Sequence, residues 1–187
     1  QGMHRALTCL NVYKHIMEVM KIDICVAVAT AAVRNAANGS EFLERINAET
    51  GITMKIITGE REAYLGYLGV INTIALKDCL IFDLGGASIE LTLVRDGESV
   101  HSVSIPIGAV TLTEKFNMQG NIDAIVLQDC LRYVKKKLSD IKWLREIDVP
   151  IVGIGGTARN FAKMDQRAES YEFSKIHNYI ISLHSFN

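Results

Sequence analysis

Residues 80–97 read LIFDLGGASIELTLVRDG, and the fold turns on how this stretch is read. An apolar run ends at Asp83, two glycines and Ser88 follow, and an alternating strand then carries Glu90 to the turn pair Asp96-Gly97. A buried strand that opens through a glycine turn into a second strand leaves backbone amides with no side chain to shield them, and such a turn can hold a phosphate. Asp83 and Glu90 bracket the turn. Magnesium takes a few carboxylate oxygens together with waters and substrate phosphates, so an acid beside an anion-cradling turn suits a cation. An ordinary hairpin with polar ends reads the same way, so other segments have to decide.

A second stretch repeats the pattern. Val149 to Ile154 reads as a strand, and Gly155, Gly156 and Thr157 stand where a helix begins. Dipole and unpaired N–H groups add at such a start, which makes it an anion site. Two glycine turns, each at the carboxyl end of a buried strand, weigh more than one.

Upstream, Asp23–Thr30 is apolar and β-branched, as in a strand covered on both faces of a parallel sheet. Ligands gather at the carboxyl ends of such strands, where Thr30 and Arg34 stand; a plain surface arginine is the alternative reading. Ser40 can cap a helix over 41–50 that Gly51 stops, and 52–57 reads as a short strand. A helix opens at Thr58-Gly59 and runs to about Leu76, with Leu65, Leu68 and Ile71 as its packed face. Glu62 falls in its first turn, where an acid complements the dipole or completes a cap. The alternative makes it a general base facing the Asp83 turn.

The remainder is conventional. Met3–Met20 has amphipathic helical spacing, 98–107 continues the antiparallel strands, and helices are expected over 110–116 and 122–141, the latter with Ile125, Val126, Cys130, Leu131, Val134 and Leu138 inward. The run Lys135-Lys136-Lys137 near a helix C-terminus reads as a solvated face. Cys9, Cys25, Cys79 and Cys130 form no C-x-x-C pair and read as reduced core thiols. With 49% hydrophobic residues, 22% charged and a formal net charge of −1 over 187 residues, the chain is no basic nucleic-acid binder, and any phosphate site must be local. No apolar run is long enough for a membrane span, and a cytoplasmic protein is expected.

Taken in order, ATAAVRNAANG (29–39), EFLERINAETG (41–51), ITGEREAYLGYLGV (57–70), DLGGASIE (83–90), IPIGAV (105–110) and GIGGTARNFAKMDQR (153–167) resemble the exopolyphosphatase and guanosine pentaphosphate phosphohydrolase family, within the superfamily of actin, heat-shock ATPases and sugar kinases. The resemblance implies an α/β, actin-like (ribonuclease H-like) two-lobed fold with mixed sheets flanked by helices, divided here into 1–77 and 78–187. It implies Mg²⁺-dependent hydrolysis of terminal phosphoanhydrides of inorganic polyphosphate or guanosine pentaphosphate, the latter placing the protein in the stringent response. Carried over by position, Glu62 aligns the attacking water, Arg34 binds phosphate, Asp83 and Glu90 hold the metal, Gly85, Gly86 and Ser88 form a phosphate loop, and Gly155, Gly156 and Thr157 form another. Family members often pair, so a homodimer is also implied, with no membrane and no duplex nucleic acid as partner.

Departures from the family pattern are also legible. Its loop reads D-I-G-G-G-S-T-E, whereas Ala87 replaces the third glycine and Ile89 the threonine here. A methyl at 87 can crowd a phosphate oxygen or force a strained dihedral. A phosphate- or nucleotide-binding sensor that no longer turns over is therefore the rival reading, and a sugar or acetate kinase relative a third. The family's first phosphate loop, expected before the helix at Met3, and its last sheet segments are missing, so the chain reads as a fragment.

Overall fold

The computed structural model describes residues 2–169, 175–182 and 184. The chain gathers into two compact units, Gln1–Thr58 and Gly59–Asn187. In the first, α1 (Gly2–Val19), β1 (Ala27–Ala29), α2 (Ala31–Arg34), α3 (Gly39–Thr50) and β2 (Met54–Ile56) follow one another. The strands pair in parallel, Ala27 opposite Met54 through Ala29 opposite Ile56. Leu7, Phe42, Ile46 and Ile52 are buried together, with Met3, Ala6 and Leu10 packed against them. Positions 3, 6, 7 and 10 form one helical stripe, which is why α1 lies on α3.

Two expectations for this unit are corrected. The strand expected over 23–30 is only three residues long, and Ile24 and Val26 are 81% and 85% exposed. The three rungs shared with β2 define the strand; residues before Ala27 have no ladder partner among the described residues. Ser40 lies inside α3, whose cap position is Asn38, and no side chain caps it.

The second unit is a four-stranded sheet in the order β5 (Glu98–Ile105), β4 (Ile89–Arg95), β3 (Cys79–Leu84), β6 (Ile151–Ile154). β3–β4 and β4–β5 are antiparallel, and β3–β6 is parallel. Side chains alternate between faces. One face presents Cys79, Ile81 and Val94 to Tyr67 and Val70 of α4 (Gly59–Ile71). The other presents Leu80, Leu91, Ile105 and Ile107, covered by Tyr133, Val134 and Leu138 of α6 (Ala124–Ser139) and by Trp143. Between β5 and α6 runs α5 (Ala109–Lys115), and α7 (Gly155–Ala168) follows β6.

Helix α4 buries Ala63, Tyr67 and Val70, whereas Leu65 of the expected face is exposed. Because that stripe packs on β3 and β4, α4 groups with the residues after it. Within α6, Ile125 and Leu131 are exposed, so its inner stripe is Cys130, Tyr133, Val134 and Leu138. Cys79 and Cys130 are buried thiols as expected, but Cys9 and Cys25 are exposed.

The packing of α4 sets the site. Tyr67 and Val70 sit over the start of β3, so the beginning of the helix lies over the end of that strand. From Val70 back to Glu62 is ~12 Å of helix, and from Cys79 to Asp83 is ~13 Å of strand. Glu62 is thereby delivered to the end of the sheet that carries Asp83.

Val94 has 0% exposure between α4 and β3. Val94→Ala is expected to cost about 2 kcal/mol through lost burial and the cavity left behind. Urea unfolding followed by fluorescence of Trp143, the only tryptophan, measures it as a lower midpoint with unchanged slope.

Candidate active site

The loop from Gly85 to Ser88 connects β3 to β4 after their last pair, Leu84 with Ile89. It closes on itself, the Gly85 amide donating to the Ser88 carbonyl at 3.0 Å. Its other polar groups are held from behind by α5. The amides of Ala109, Val110 and Thr111 donate to the carbonyls of Gly85 and Gly86 at 2.9–3.1 Å. The Thr157 hydroxyl donates to the Leu84 carbonyl at 2.7 Å. With these carbonyls engaged, the amides of Gly86, Ala87 and Ser88 donate to no backbone carbonyl among the described residues.

A side chain at Gly108 would collide with the Gly86 carbonyl and the Ala87 amide, so only glycine lets α5 come this close. Ala87 itself lies outside the positive-φ region. The dihedral strain expected of alanine in this loop is therefore absent.

β6 passes straight into α7, so Gly155 and Gly156 form the first turn of the helix itself. Gly155 has φ +81°, and the Asp83 carboxylate lies so close over it that a Cβ would overlap. The acid thus sits against a helix N-terminus, where the dipole favours negative charge. Beside it, the place a Cβ of Gly156 would occupy has nothing within 4 Å, which leaves an approach open to an anion.

Sheet register brings the acids together. Asp83 is opposite Glu90, and Glu90 is opposite Ser104, so the three share one face in one row across β3, β4 and β5. Glu90 is only 4% exposed, and its Oε1 accepts hydrogen bonds from the hydroxyls of Ser88 and Ser104, each at 2.7 Å. Burial raises the Asp83 carboxyl above its ordinary range; the Glu62 charge raises it further and Arg159 pulls it back. Burial likewise raises Glu90, the Ser104 and Ser88 hydrogen bonds oppose this, and the charges of Glu62 and Asp83 add to it. The three acids therefore feel one another.

Among the described residues, no group of three or more His, Cys, Asp or Glu side chains is placed to hold a metal by itself. Any cation here would need oxygens from water or a ligand as well.

The second unit thus brings together Glu62, Asp83, Glu90, Gly85, Gly86, Ser88, Gly155, Gly156 and Thr157. The Gly85 amide closes the turn, and the hydroxyls of Ser88 and Thr157 donate to Glu90 and to the Leu84 carbonyl. Arg34 belongs to the other unit, where its Nη1 donates to the Ile57 carbonyl at 2.8 Å. Ser104, Gly108 and Arg159 were not singled out from sequence. Arg159 could have been, since it follows the second glycine turn by one helical turn. Ser104 and Gly108 reach the site only through strand register and a close backbone approach.

A model of the Ppx/GppA phosphatase family matches residues 1–187. The chain is 30% identical over 187 residues to the bifunctional 3-dehydroquinate synthase/phosphatase of Fusobacterium nucleatum, covering 95% of this chain and 28% of that protein. The solved exopolyphosphatase of Cytophaga hutchinsonii matches with a TM-score of 0.90 at 25% identity, over 98% of this chain and 61% of that one. The Aquifex aeolicus Ppx/GppA family member matches at 0.68 and 31% identity, over 92% of this chain and 55% of that one. The chain therefore spans less than two thirds of each of these relatives. Its fold is the actin-like α/β fold that the sequence implies, with mixed sheets flanked by helices.

Two outcomes follow from the geometry. Gly108→Ala is expected to destabilise the protein by about 1–3 kcal/mol and to speed hydrogen exchange at the Ala109–Thr111 amides, which donate to the loop carbonyls, measured by NMR. For Glu90 the sign is set by its raised carboxyl: the folded state holds its proton more tightly than the unfolded chain. Stability is lost as pH climbs from the ordinary 4.5 through the raised value, and the cost is then constant. Glu90→Gln, which keeps the acceptor for both serines, is expected to melt about 2–4 °C higher at pH 7. Calorimetry should show the difference vanishing well below the ordinary carboxylate range; equal melting temperatures at pH 7 would contradict a charge cost at this position.

Proposed function

The chain belongs to the Ppx/GppA phosphatase family, and from that premise we propose that the complete protein hydrolyses the terminal phosphoanhydride of inorganic polyphosphate or guanosine pentaphosphate in the cytoplasm. The observation that carries this reading is the convergence of Glu62, Asp83 and Glu90 beside the Gly86–Ser88 amides, which donate to no backbone carbonyl among the described residues, and the glycine start of α7.

In this reading the terminal phosphates lie against those amides, with Arg159 supplying positive charge. Backbone donors that are already held in place stabilise charge developing on phosphate oxygens without reorganising. Glu62 orients a water and takes its proton as the water oxygen bonds to the terminal phosphorus. The bridging P–O bond breaks, and its electrons leave with the shortened chain or nucleotide.

The donor set suits a hard divalent cation such as Mg²⁺: carboxylate oxygens whose acids are pushed toward the protonated form, in a place that needs water or phosphate oxygens to complete coordination. Asp83 and Glu90 would hold it. Bound there, it would supply neutralisation of phosphate charge.

Phosphate release from each substrate with Mg²⁺, using the complete protein and Glu62→Gln, tests the proposal. The substitution is expected to lower turnover by about 10²–10⁴-fold while substrate binding persists. Binding without turnover in the unsubstituted protein would instead establish the sensor reading, to which the departures at Ala87 and Ile89 point.

A further inference from the structure

A serine hydroxyl carries one proton to donate. In this structure Ser88 spends its proton on Glu90 Oε1, yet Ser88 also belongs to the loop whose Gly86–Ser88 amides donate to no backbone carbonyl among the described residues. A phosphate arriving at that loop competes for the same proton. Should Ser88 turn to the phosphate, Glu90 would lose one of its two anchors as the site fills. Glu90 lies on a row with Asp83 and under the influence of Glu62, so like charge would then push it aside.

Ser104 is placed to prevent this. It lies on β5, outside the loop, directly opposite Glu90, with its hydroxyl 2.7 Å from the same Oε1. Its hold comes from strand register, which does not depend on what the loop binds.

We propose that Ser104 is a positioning residue: it keeps Glu90 in place when Ser88 redirects its hydroxyl to a bound phosphate. This rests on the hydrolase reading above, and it assigns Ser88 a second duty, coupling loop occupancy to the hold on Glu90.

The test uses Ser104→Ala, Ser104→Thr and Ser88→Ala in the complete protein. Ser104→Ala is expected to lower kcat about 10- to 100-fold with KM within about twofold, and Ser104→Thr, which restores a hydroxyl in a strand-tolerant side chain, to recover most of that. Crystal structures with inorganic phosphate provide a readout apart from turnover. In Ser104→Ala the Glu90 side chain should change rotamer, while in Ser88→Ala it should stay. Equal losses in the alanine and threonine variants, with Glu90 unmoved, would overturn the proposal, as would full activity in Ser104→Ala. If the unsubstituted protein hydrolyses neither substrate, the hydrolase reading fails, and the Glu90 rotamer in the phosphate-bound variants still decides the role of Ser104.

Discussion

Two carboxylates placed opposite each other on adjacent strands, with a third brought over them by a helix, form the interaction on which the rest of the second unit depends. Asp83 and Glu90 share a row, and burial together with the charge of Glu62 raises both above the usual carboxylate range. Like charges at this spacing repel unless something opposes them. The fold supplies that opposition locally: a helix N-terminus against Asp83, two hydroxyls on Glu90, and Arg159 one turn into α7. These partners come from α7, from β5 and from the β3–β4 loop, so the arrangement exists only once the sheet is assembled.

Backbone geometry complements the acids. A glycine loop in isolation would present amides and carbonyls alike and hold an anion poorly. Here α5 takes the carbonyls of Gly85 and Gly86, and Thr157 takes that of Leu84, which biases the exposed polar groups toward donors. Gly108 makes the approach of α5 possible, and Gly155 makes room for Asp83. The glycines that matter most for the loop thus include one outside it.

The sequence made the hairpin, the two glycine turns and the position of Glu62 readable because each rests on local signals: an apolar run, a Gly-Gly pair, an acid in a first helical turn. It did not reveal what depends on register. Ser104 is one serine among several in an exposed-looking strand, and only its placement opposite Glu90 gives it meaning. The inner face of α4 was misjudged for a related reason. Leu65 and Ala63 are both apolar, and the choice of Ala63, Tyr67 and Val70 follows from how closely the helix must lie on the sheet. Nor could propensity tell that Ala87 would sit without strain, since its φ follows from how its neighbours Gly85, Gly86 and Ser88 are held.

The consequence of that close α4 contact reaches the chemistry. Glu62 has no sheet of its own to fix it; its place is inherited from Tyr67 and Val70, one to two helical turns on, which lock the helix against Cys79, Ile81 and Val94. Tyr67 adds a hydrogen bond from its hydroxyl to the Gly97 carbonyl at 2.8 Å, tying the same helix to the β4–β5 turn. Sliding α4 by one residue would move Glu62 by ~1.5 Å and rotate it by a quarter turn or more, enough to take its carboxylate out of reach of the Asp83–Glu90 row. Because cores have discrete packings and resist continuous sliding, the apolar contacts at one end of the sheet act as the positioning device for the acid at the other. Core and acid cluster are in that sense a single mechanical unit, since the packing of Tyr67 and Val70 on the sheet sets where Glu62 stands relative to Asp83.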